Sequence, residues 1–201
     1  MAAATAMFIE VLVVGIGSLA GLVGVVATVV GYDNMKKLAV AGDSTLVSGA
    51  AVAFAYALGI LSDRAADFIL RSKRRTLRAQ YFSSNAAYDR ARRVVVQFPE
   101  IMARSDYARS RMRVCRGWLF NTAILAIVVD LLIIRFPVQN RPILIAAATI
   151  IGLLLAAGFY AAWSSITVTG YKKLALQAQA SSVNLPVQQD SAAPSGMASQ
   201  G

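Results

Sequence analysis

Residues 109–120 read RSRMRVCRGWLF. Four arginines, Arg109, Arg111, Arg113 and Arg116, stop at Gly117 and Trp118, and a long apolar run begins. Dense cationic charge set directly against a greasy segment is the pattern by which a membrane helix fixes its inner end. Trp118 then falls where an aromatic ring anchors a helix at the boundary between water and lipid.

Working outward, three further apolar runs are long enough to cross about 30 Å of hydrocarbon at about 1.5 Å per residue. The spans predicted are 7–31, 44–61, 118–136 and 143–166. The first lacks a basic leader, is longer than a signal-peptide core, and carries Glu10 near its start, so it reads as a retained helix. The fold class expected is therefore an all-α integral membrane protein. It has four transmembrane helices, with a basic helical cytoplasmic segment between spans two and three. Helices one and two occupy 7–61, the basic segment 62–117, and a hairpin of helices three and four 118–166. The segment 177–201 is rich in Ser, Ala, Gln, Pro and Gly and reads as a disordered tail.

Composition agrees. The chain has 201 residues, 57% of them hydrophobic and only 15% charged, against roughly a quarter charged in soluble domains. Its net charge is +10, and fourteen of its twenty Lys and Arg lie within 62–117. By the positive-inside rule that segment is cytoplasmic. With four spans both termini are cytoplasmic too, in a plasma or bacterial inner membrane. Lys172 and Lys173 beyond span four agree with this orientation; Lys36 and Lys37 oppose it.

Within 62–117, residues 63–82 continue span two as a helix, with Asp67 and Arg71 as an i,i+4 pair. Ser83, Ser84 and Asn85 offer N-caps to a second helix over 86–98, whose RRVVVQF portion also suits a strand. Ile101, Ser105, Ala108, Met112, Cys115 and Leu119 form one apolar stripe of a third helix, with Gly117 as its bend into the membrane. Arg104, Arg109, Arg111, Arg113 and Arg116 flank that stripe. They are the candidate contacts to anionic lipid or a cytoplasmic partner. Their charge also predicts a lowered pKa for Cys115.

Helices in lipid associate where small residues let backbones approach. Gly17, Gly21, Gly24, Thr28 and Gly31 form such a seam on span one, and Ala51, Ala55 and Gly59 on span two. These two seams are expected to pack together, or to join two copies in a homo-oligomer. Asp130 is the one carboxylate inside span three, where a charge costs roughly 2.5–3.5 kcal/mol at a helix centre. At its depth Thr28, Ser48 and Thr149 can hydrogen-bond it. Asp130 and Glu10 are the candidate intramembrane polar site. Asp130 is either a hydrogen-bonded packing group, a partner of Arg135, or part of an ion path. Glu10 is expected to neutralise Arg64 or Arg116. In Glu10 and its apolar flanks alone, span one resembles that of the small multidrug resistance transporters; they have no large basic loop.

The chain has no histidine and a single cysteine. This excludes histidine bases, histidine metal sites and an internal disulfide framework. No phosphate loop, metal-ligand spacing or activated nucleophile is present, so neither an enzyme nor a cofactor is expected. The function expected is that of a multi-pass, self-associating membrane protein whose basic helices dock a partner, a signal or anionic lipid. The alternatives are a pore or membrane-permeabilising effector with Asp130 in a polar path, and a small ion-coupled transporter. A nucleic-acid partner is not favoured, because no recognised module accompanies the basic charge.

Overall fold

The computed structural model describes residues 2–31, 34, 45–97 and 99–183. The side chains of 2–4, 6, 99–104 and 181–183 fall outside that description. Most of the described residues are helical, and none is in a strand. The helices are α1 (Ala2–Val30), α2 (Thr45–Ala79), α3 (Asn85–Val96), α4 (Pro99–Arg135) and α5 (Arg141–Val183). All except α3 are long and apolar enough to cross a membrane.

Length positions the functional end. α2, α4 and α5 have 35, 37 and 43 residues. At about 1.5 Å per residue they are about 50–65 Å long, well beyond the hydrocarbon thickness. Their excess projects at one end as a helical bundle with α3. We call this the basic end.

Local chemistry sets the boundaries. Gly31 closes α1 at φ 84°, donating its N–H to the Ala27 carbonyl at 3.0 Å, a left-handed helix stop. Ser84 has an extended backbone, and its hydroxyl accepts the Ala87 N–H at 3.1 Å, capping α3 as its sequence predicts. The RRVVV run is helical, with Ala91 and Val95 buried. Between α4 and α5 the chain reverses at Asn140, φ 55°, whose carbonyl accepts the N–H groups of Ile143 and Leu144.

α1 sits between α2 and α4, and α5 packs on the far side of α4. The α1–α2 contact is as close as two backbones can come. A Cβ on Gly15 would lie 1.8 Å from the Ala55 carbonyl oxygen, and one on Gly59 would lie 2.1 Å from that of Val11. Phe8 stacks on Tyr56 beside them, with ring centroids 5.0 Å apart. The predicted partner of the span-one seam is corrected here. Gly17, Gly21 and Gly24 do not face Ala51, Ala55 and Gly59. They receive Asn121, Ile124 and Val128 of α4. Two residues along a helix turn about 200°, so Gly15 and Gly17 open opposite sides of α1, one for each neighbour.

Two further expectations are revised. α4 runs through Gly117 without a break in the helix. The hydrogen atom of Gly117 is needed because a Cβ would meet Val14 Cγ1 at 2.6 Å. Residues 177–183, expected in the tail, are the last turns of α5. Residues 184–201 and the loop lysines 36 and 37 lie outside the described residues. The apolar stripe of α4 does turn inward, with Ser105, Ala108, Met112, Cys115 and Leu119 all half-buried. Burial there raises the Cys115 thiol pKa, outweighing the opposing pull of Arg111. The thiol packs half-buried with the rest of the stripe.

Candidate functional site

Polar side chains line up along the α1–α2–α4 contact towards the basic end. Asn121 is the innermost of them and is 1% exposed. Its Nδ2 donates to the Val14 carbonyl at 2.6 Å, and its Oδ1 accepts from Ser18 at 2.9 Å and Ser62 at 3.3 Å. One amide thereby ties three helices. Gly17 permits it, since a Cβ there would come within 2.6 Å of Nδ2. Away from water each of these groups would cost free energy if left unpaired, so the set fixes the register of all three helices.

Little more than one turn further out lies Arg116, buried like a core residue. Its two terminal nitrogens pair separately with Asp63 and Asp67 of α2. Arg74 also pairs with Asp67, at 2.6 Å on the same carboxylate oxygen, Oδ1, that Arg116 holds. Two cations and two carboxylates make a neutral knot at the root of the basic end. The i,i+4 step between Asp63 and Asp67 puts both on one face of α2, level with the last arginine before span three. The predicted Asp67–Arg71 pair is not formed; Asp67 is held by Arg74 and Arg116 instead.

Arg116 therefore does not partner Glu10, nor does it face lipid. Glu10 Oε1 accepts the hydroxyl of Ser110, while its Oε2 is buried without a protein partner. The other candidate contacts on α4 differ from Arg116. Arg109 pairs with Asp106 at 3.0 Å and is exposed. Arg111 is exposed, with its guanidinium 5.8 Å from the Tyr107 ring centroid. Arg113 is half-buried. The Arg104 side chain lies outside the description.

The intramembrane set comes together only in part. Thr149 of α5 donates to Asp130 Oδ2 at 2.8 Å, as its depth predicts. Asp130 Oδ1 is buried without a protein partner. Thr28 instead donates to the Gly24 carbonyl of its own helix at 2.8 Å, and Ser48 is exposed. Asp130 and Ala126 both face α5, where a Cβ on Gly152 would come within 2.4 Å of the Ala126 methyl. Trp118 stacks on Phe159 of the same helix with ring centroids 6.1 Å apart. Asp130 thus belongs to the α4–α5 seam and Asn121 to the α1–α2–α4 seam.

Asn121 stands outside the site residues that the sequence predicts. The missing signal was the pair of serines, Ser18 and Ser62, at matching depth on spans one and two. No group of three His, Cys, Asp or Glu side chains among the described residues could hold a metal ion. The arrangement holds three helices in register through Asn121 and Arg116 and leaves cations exposed beyond them. No family model, curated protein or solved structure matches this chain.

Proposed function

We propose that the protein is a self-associating multi-pass membrane scaffold, with its basic end in the cytoplasm, where it docks an anionic lipid surface or an acidic partner. The observation that carries this reading is a charge imbalance on a rigid mount. Within 62–117 only Arg74, Arg109 and Arg116 pair with a carboxylate among the described residues. Most of the remaining described cations are exposed, on the parts of α2 and α4 that continue the spans and on α3. Fixed cations beside a bilayer each add about 1 kcal/mol of attraction to an anionic surface. Rigid presentation spares the entropy of ordering a loop. On α4 the cations towards the surface are Arg111, exposed and without a carboxylate partner among the described residues, Arg113, half-buried, and Arg109, exposed but paired with Asp106.

The test uses the full chain in discs of zwitterionic lipid, mixed with vesicles that contain or lack phosphatidylglycerol. Anionic vesicles should be captured, and capture should fall as salt is raised. The triple substitution of Arg109, Arg111 and Arg113 by Gln should weaken capture on the order of tenfold or more. Equal capture of neutral vesicles, or no loss in the triple variant, would overturn lipid docking by this face.

A further inference from the structure

A second cationic feature lies on different residues. Arg71, Arg74, Arg75 and Arg78 occupy successive turns of one face of α2, and Tyr171 of α5 faces them across a half-open cleft of about 160 Å³. We propose that this cleft binds a phosphate-bearing anion.

The charge there is unbalanced. Like charges three and four residues apart on a helix repel, and here four guanidinium groups share one face. The one carboxylate that meets them is Asp67, which pairs with Arg74 and is shared with Arg116. Asp89 of α3 is exposed and pairs with no cation among the described residues. Arg71 and Arg75 are exposed, with no carboxylate within ion-pair distance among the described residues. A charge block that served only to orient the spans would need neither a concave shape nor a fixed wall.

The wall is fixed. The Tyr171 ring meets those of Phe82 and Tyr88 edge-on, with centroids 6.4 and 6.0 Å away. Tyr88 in turn carries the Arg78 guanidinium over its face at 5.2 Å, and Arg78 donates to Asn85 Oδ1 at 2.6 Å. Arg74 is held by Asp67 at 2.6 Å. Two of the four guanidinium groups are thus positioned in advance, and two remain free to close on a ligand. Planar guanidinium forks match the oxygen spacing of phosphate and bind it in pairs. Advance positioning lowers the ordering cost of capture.

A phosphate group can come from a soluble molecule or a lipid headgroup. Arg71 to Arg78 begin about 6 Å and end about 16 Å beyond Asp67 along α2, at about 1.5 Å per residue. The headgroup layer is about 5–8 Å thick on each side of the hydrocarbon. With the Arg116 knot at the membrane boundary, the cleft opens mostly beyond that layer, which favours a soluble anion. The site uses none of the α4 arginines invoked for docking, so either reading can fail alone.

The full chain in discs of zwitterionic lipid would be titrated with inorganic pyrophosphate by calorimetry at low salt. Saturable binding is expected, weakened about tenfold or more by Arg71→Gln with Arg75→Gln. The exposed pair Arg109→Gln and Arg111→Gln, on α4, should leave it unchanged. In a parallel arm, discs containing phosphatidylglycerol are exchanged into detergent and retained lipid is measured by native mass spectrometry. Lipid kept by the parent chain but lost from the Arg71/Arg75 variant, with pyrophosphate silent, assigns the site to a headgroup. Binding in neither arm, or equal binding by parent and Arg71/Arg75 variant, overturns the proposal. Both positions are exposed, and an unchanged helical circular dichroism spectrum confirms that the variants fold.

Discussion

Arg116 is the residue on which the two halves of the molecule meet. It is the last cation before the third span, and it is turned inward onto Asp63 and Asp67 rather than outward to lipid. A half-neutralised ion pair is worse than none, because the orphaned charge keeps its desolvation cost. Arg116→Ala should therefore destabilise the fold towards the lower part of about 3–5 kcal/mol, since Asp67 is partly exposed and keeps Arg74. Adding Asp63→Asn should restore part of the loss. A denaturing-detergent titration followed by circular dichroism measures both. Equal stability of Arg116→Ala and the parent chain would show that the knot is ornamental. Asn121 acts similarly but without charge, its three hydrogen bonds reaching two other helices.

At the scale of elements, α1 is a spacer with glycine on two faces, and the α1–α2 contact tolerates no added atom. Gly59→Ala places a methyl against the Val11 carbonyl oxygen, a backbone atom that cannot rotate away. Separation of α1 from α2 should cost about 1–3 kcal/mol or more. Gly158→Ala, on an open face of α5, should be neutral or gain about 0.5–1 kcal/mol from helix propensity. The same detergent titration compares them, and matching behaviour of the two variants would refute the close contact. The existence of these helices was legible in the sequence because long apolar runs and caps such as Ser84 are local signals. The pairing of faces was not. Gly15 is an isolated glycine outside the four-and-three spacing, and only the neighbour it meets reveals its role. Likewise Asp130 pointed to Thr149 by depth alone, whereas the choice of Thr149 over Thr28 depends on which helix lies beside α4. The Arg116 partners needed the level of α2 relative to α4, which no periodicity within one helix supplies.

For the molecule as a whole, charge asymmetry sets the proposed orientation: fourteen of twenty cations crowd into one interhelical segment. A reporter inserted at position 90, in α3, should show cytoplasmic activity, and paired reporters at the two termini should agree with it. An exported reporter at position 90 would reverse the orientation and place the basic end outside. The unbroken course of α4 has a mechanical consequence. A loop between the basic end and the apolar half would let one turn without the other, whereas here one helix of 37 residues joins them, held midway by Arg116. A tilt imposed near Tyr107 would be carried along one continuous rod to Asp130, where Thr149 of α5 holds it.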